Sequence, residues 1–211
     1  MQREINHYLR RAGVGLEQRF AYIPGKTLSV KNFDALSAYM RTKYHISLSE
    51  GFMRKDFEIA RIICTGVDDV LTDFPKAKHY ISEIAYGGKS PYLGKYEEYS
   101  DATQSRILIF SKSFHSCKRQ AYSTAVHEAA HAVDISLGRK SETIINEALR
   151  KSAGRINGQE AIAQLRALLG STHWDEYGNK EEIFAFSFEL SYIKNANNLS
   201  ETVLSIAKGL V

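Results

Sequence analysis

Two histidines one helical turn apart, with a glutamate directly after the first, are the residues of this chain best placed to do chemistry: His127-Glu128-Ala129-Ala130-His131. On an α-helix, positions i and i+4 lie one above the other, so both imidazoles project from one face and offer nitrogen ligands to a single zinc ion. Glu128 lies beside them without joining the ligand set, the place of a general base. The spacing predicts the core of a metallopeptidase site. The run from Tyr122 to Leu137 contains no Gly or Pro and opens on hydroxyl-bearing residues. Its spacing predicts a helix that buries Val126, Ala130, Val133 and Leu137 and stops at Gly138.

A catalytic zinc takes three protein ligands and keeps its fourth position open. A third histidine beyond His131 would fall at Leu137, and Asp134 stands where the turn before it needs glycine, so a set made of histidines alone is excluded. Glu147, in Ile145-Asn146-Glu147-Ala148, resembles the Asn-Glu element of thermolysin-type enzymes. Against it, the interval from His131 is short for a helix end, a turn and a return, and Lys151 occupies the place of a supporting Asp. Glu182 is the better candidate. It opens a helix whose Phe184, Phe188 and Tyr192, or Ile183 and Leu190, face the core, so an acid in the first turn can point at the metal. Glu181 is its rival, and either can serve only as a favourable charge at a helix N-terminus.

His127-Glu-x-x-His131-Ala-Val-Asp134, followed by Tyr177-Gly178 and Glu182-Ile-Phe-Ala-x-x-Phe188, resembles the catalytic domain of the anthrax lethal factor type and the related Pro-Pro endopeptidases. The resemblance runs from about Tyr122 to Tyr192 and is weaker in the sheet region before it. It implies an α+β, zincin-like domain: a small twisted sheet, an active-site helix and a backing helix. It also implies one zinc per chain with Glu182 as the third ligand, and Tyr177 as the residue that stabilises the transition state. The Tyr177 to Glu182 interval is shorter than in that family, and its members are typically secreted or exported. The expected chemistry is zinc-assisted hydrolysis of a peptide bond. Glu128 takes the proton of a water and passes it to the leaving amine, and Tyr177 donates to the oxyanion, a bond worth about 3 kcal/mol of barrier. Should Tyr177 not serve, Tyr192 or a tyrosine of the 92–99 loop is next. Asp134, on the same helix face as His127, is expected either to orient a ligand or a backbone group, or to form a surface ion pair. His7, His45, His79, His115 and His173 are isolated and read as exposed or hydrogen-bonded.

Composition bounds these expectations. With 44% hydrophobic and 25% charged residues in 211, the chain reads as an ordinary soluble globular protein of one domain, or of one domain with a small N-terminal appendage over residues 1–75 and a catalytic part over 76–211. The net charge of +4 is mild and the basic residues are scattered, which argues against nucleic acid as a partner and leaves a protein or peptide substrate. No apolar run reaches the length of a membrane span, and Met1-Gln-Arg-Glu-Ile-Asn-His-Tyr lacks the apolar core of a signal peptide. The expected location is therefore the cytoplasm, unless the chain is exported by a signal-independent route or belongs to a larger protein. Cys64, among Ile62, Ile63 and Val67, reads as a buried thiol and Cys117 as part of a polar loop, with a bridge between them neither required nor forbidden.

Apolar spacing and turn residues place helices over about 2–12, 30–45, from Phe57 to just before Pro75, 141–153, 158–169, 180–194 and 199–209, and strands over 80–86 and 106–110. Residues 87–99, rich in Gly and Tyr, read as a loop beside the sheet, and 170–179 as a polar loop. Two competing functions share the motif. One is a cytoplasmic regulatory peptidase that cleaves a repressor. The other is a domain of a virion or secretion assembly that keeps zinc as a structural pin, against which Glu128 argues, since a structural site needs no base.

Overall fold

The computed structural model of the chain describes residues 27–99, 105–152, 180–193 and 198–211. Helix α1 (Phe33–Tyr44) starts where the Asn32 side chain accepts from Ala35 N, buries Leu36, Met40 and Tyr44, and ends at His45 with φ 64°. After β1 (Ser47–Leu48) and the single turn α2 (Glu50–Met53) comes α3 (Phe57–Asp73), capped by Asp56, whose carboxylate accepts from Ile59 N. A 3-10 turn over Pro75–Tyr80 leads to β2 (Glu83–Tyr86). β3 (Gly94–Glu97), β4 (Arg106–Ile109) and the short α4 (Ser111–Phe114) follow. The second half is helical: α5 (Lys118–Ser136), α6 (Ser141–Ser152), α7 (Lys180–Tyr192) and α8 (Asn198–Lys208).

The architecture is α+β, with a mixed four-stranded sheet in the order β1-β2-β4-β3. β1 and β4 flank β2 in parallel, with Ile84 opposite Ile107, and β3 runs antiparallel to β4 with Gly94 opposite Ile109. Ile84, Ile107 and Ile109 are fully buried in one core with α1, α3, α5, α7 and α8. Residues 33–74 thus share their core with the helix that carries His127 and His131. At Gly66 of α3 a Cβ would lie 2.8 Å from the Tyr122 carbonyl oxygen, so α3 can approach the α5 backbone this closely only with glycine there.

A polar seam fixes the helices against each other. Tyr122 on α5 donates its hydroxyl to Asp69 at 2.7 Å, and Tyr192 on α7 donates to Asp73 at 2.6 Å. Phe188 of α7 also meets Phe74 with ring centroids 5.2 Å apart. These contacts from α3 set how α7 lies beside α5.

Several sequence expectations change. The segment expected as one strand from Tyr80 is a 3-10 turn as far as Tyr80, because Pro75 opens that turn and the chain becomes extended only at Ile81. The expected loop 87–99 contains β3, which shows no clean hydrophobic alternation because it is a short edge strand with much of its surface exposed. β1 and α2 were not expected from the sequence; both are too short for a periodic pattern. α5 begins four residues before Tyr122, with Cys117 at its N-cap rather than in a loop, and both cysteines are free. The helices expected at 2–12 and 158–169, the loop at 170–179, and His7 and His173 lie outside the described residues. Among the described residues, no helix is long and apolar enough to cross a membrane.

Candidate metal centre

The buried face of α5 carries Val126, Ala130 and Val133, all fully buried, and this anchoring turns His127 and His131 toward α7. Their rings lie 5.1 Å apart at 76°. Glu182, in the first turn of α7, spans both: its Oε2 is 3.1 Å from His127 Nε2 and its Oε1 is 3.6 Å from His131 Nε2. One donor atom from each of the three residues falls within 4.8 Å of the others. Ligands bound at about 2.1 Å in tetrahedral geometry sit about 3.4 Å from one another. The two measured separations, each to a different oxygen of Glu182, are of that order, so the group could hold a metal ion. Side-chain exposures of 12% for His127, 16% for His131 and 24% for Glu182 leave the cluster partly open to solvent.

The electrostatics are those of a crowded, buried cluster. Burial disfavours the His127 imidazolium, but the hydrogen bond to Glu182 and the nearby carboxylates of Glu189 and Glu128 outweigh it and raise its pKa to about 10. Burial and the charge of His127 push His131 down to about 4. Burial also acts to raise Glu182, yet the His127 hydrogen bond and the two histidine charges hold its carboxyl below the usual range. Because a metal ligates only the neutral imidazole, an ion here competes with the proton on His127.

Glu128, next to His127 on α5, lies between the cluster and the sheet edge at Gly94. It is 6% exposed, and burial, with Glu182 and Glu189 adding to it, pushes its carboxyl up to about 7 against lowering by His127 and the Tyr96 backbone N–H. Phe110 N donates to Leu93 O, so the alternate residues of β3, Gly94 and Tyr96, point their backbone groups away from β4 and toward Glu128. At Gly94 a Cβ would fall 2.7 Å from Glu128 Oε1 and 2.7 Å from Thr124 Cγ2. Glycine there makes room for the carboxyl. Tyr96 then lays its ring along His131, with centroids 6.2 Å apart at 25°, and anchors its hydroxyl on the Tyr80 carbonyl at 2.7 Å.

The other candidates go elsewhere. Glu147 stands outside the cluster: its carboxylate pairs with Lys151 at 2.7 Å on a solvent-facing side of α6. Glu181 is the neighbour of Glu182 but stands outside the three-residue cluster. Asp134 is 3% exposed and accepts from Ser141 N at 2.7 Å, so it orients a backbone group and caps the start of α6 instead of forming a surface ion pair. Tyr177 lies outside the described residues. Of its substitutes, Tyr192 has its hydroxyl committed to Asp73, Tyr96 to Tyr80 and Tyr99 to Glu97.

Gly94, Phe186 and Glu189 carry no signal of their own in the sequence, and Tyr96 stands out there only as one of the 92–99 tyrosines. Phe186 packs its ring 4.5 Å from that of His127, and Glu189 Oε2 lies 3.6 Å from His127 Nδ1. Glu182, Phe186 and Glu189 follow i, i+4, i+7 spacing, a signal readable from sequence once Glu182 is placed on a helix facing the histidines. No family model, no curated protein and no solved structure matches the chain.

Proposed function

We propose that the chain is a zinc-dependent endopeptidase with a zincin-like site, arranged as the lethal-factor resemblance of its motif implies. The observation that carries this reading is the division of labour around α5. Glu182 meets the Nε2 atoms of both histidines, while Glu128 stays out of the ligand set and is buried beside it. A structural pin has no use for a buried carboxyl so placed and usually closes its fourth position with protein.

His127, His131 and Glu182 would hold the ion, which when bound supplies Lewis acidity to a water and to a carbonyl. Glu128 accepts the proton of the attacking water and returns it to the leaving amine; a carboxyl raised to about 7 suits both transfers. Tyr96 and Phe186 flank the two imidazoles and hold their planes. β3 is the edge strand of the sheet and lies beside Glu128, a position suited to an extended peptide, which favours a polypeptide substrate.

Metal analysis combined with digestion of a peptide library tests this reading. The expected result is about one zinc per chain in the wild type and in Glu128→Gln, with cleavage by the wild type alone. Zinc in both without cleavage by either would leave a metal-pinned structural domain, and no zinc in the wild type ends the proposal.

A further inference from the structure

We infer that Glu189 is a positioning residue that fixes which nitrogen of His127 faces the metal, an inference that rests on the metal site proposed above. An imidazole can ligate through either nitrogen, and the choice follows the hydrogen bond made by the other one. In His127 the two nitrogens meet two carboxylates of the same helix. Nε2 faces Glu182 Oε2 at 3.1 Å, and Nδ1 faces Glu189 Oε2 at 3.6 Å. Nδ1 is buried without a closed hydrogen bond. The Glu189 carboxylate, itself 22% exposed, stands about half an ångström beyond bonding distance of it.

Glu189 is not a fourth ligand. It addresses Nδ1 and not Nε2, and among the described residues the donor cluster comprises His127, His131 and Glu182. Its work is to accept the Nδ1–H, which leaves the Nε2 lone pair for the ion and holds the ring in plane. Between the two carboxylates, Phe186 packs its ring 4.5 Å from the same imidazole, so one face of α7 presents Glu182, Phe186 and Glu189 to His127. α7 is rigidly placed for this by the Tyr192 to Asp73 hydrogen bond and the Phe188 to Phe74 contact. Metal-binding histidines held in this way typically lose about 10- to 100-fold in metal affinity when the outer carboxylate is removed.

The test compares wild type with Glu189→Ala, Glu189→Leu and Glu189→Gln, each checked for folding by thermal melting. Zinc affinity by chelator competition is expected to fall about 10- to 100-fold in the Ala and Leu variants. In Gln it is expected to stay within about threefold, because the amide oxygen still accepts the Nδ1–H. The second readout needs no metal. In metal-free protein labelled with 15N-histidine, a slowly exchanging His127 Nδ1–H resonance is expected in wild type and Gln and absent in Ala and Leu. Wild-type affinity in the Ala and Leu variants, or a resonance that persists in them, overturns the role of Glu189. Should wild type take up no zinc, the proposed function fails while the metal-free resonance still decides what Glu189 does.

Discussion

Gly94 and Glu128 compete for the same space: a Cβ on the glycine would sit 2.7 Å from the Oε1 of the glutamate. The edge strand β3 and the helix α5 therefore approach each other only because position 94 has no side chain. β3 is held in register by Gly94 opposite Ile109 and Glu97 opposite Arg106, so it cannot yield without breaking its pairing with β4. Gly94→Ala is expected to displace the Glu128 carboxyl, lowering kcat about 10-fold or more and costing about 1–3 kcal/mol of stability by overpacking. Zinc content should stay near that of wild type. Kinetics, metal analysis and thermal melting on one preparation check this; unchanged kcat would show that Glu128 does not depend on its seat against β3.

Glu182→Ala should lower zinc occupancy and cleavage together, since it removes the carboxylate that meets both Nε2 atoms. Glu147→Ala should change neither, because that residue is paired with Lys151 on an exposed face. Exposed ion pairs contribute little, so a small shift in melting temperature is the most this second variant should show. The reverse pattern would place the third ligand on α6.

Tyr177→Phe is expected to leave zinc content unchanged and to reduce kcat roughly 10- to 1000-fold with little change in KM, as for a hydrogen bond made mainly in the transition state. The expectation comes from the Tyr177-Gly178 part of the lethal-factor resemblance. Steady-state kinetics of the variant decide it. With the hydroxyls of Tyr96, Tyr99 and Tyr192 bonded elsewhere, an unaffected kcat would direct the search to Tyr92, which is exposed.

The two thiols should behave differently. Cys64 is fully buried on α3, and burial together with the charge of Asp68 pushes its thiol well above the ordinary range, so it presents no thiolate. Cys117, at the N-cap of α5, is partly exposed. A thiol reagent is expected to titrate one cysteine in the native protein and both in denaturant. Two fast-reacting thiols in the native protein would show that α3 opens readily, and none in denaturant would reveal a bridge.

What the sequence determined by itself is local. The His-Glu-x-x-His spacing puts two imidazoles on one helix face whatever surrounds that helix, and the apolar spacing of α1, α3, α5, α7 and α8 was legible because a helix closes its hydrogen bonds within a few residues. β1 and β3 were not legible, since β1 has two residues and β3, unlike β4, carries no aliphatic run: β3 exists through its register with β4, and Gly94 is there for the sake of Glu128 on another element. The ligand set was open in the same way. An acid in the first turn of a helix carries one sequence signal whether it faces a metal or only the helix dipole, so Glu147, Glu181 and Glu182 could be ranked from sequence and resemblance but not placed. Only the tertiary structure brings Glu182 and Glu189 to the two nitrogens of His127. That placement depends on Asp69 and Asp73 of α3 receiving the hydroxyls of Tyr122 and Tyr192, contacts between residues far apart in the chain that no local pattern encodes.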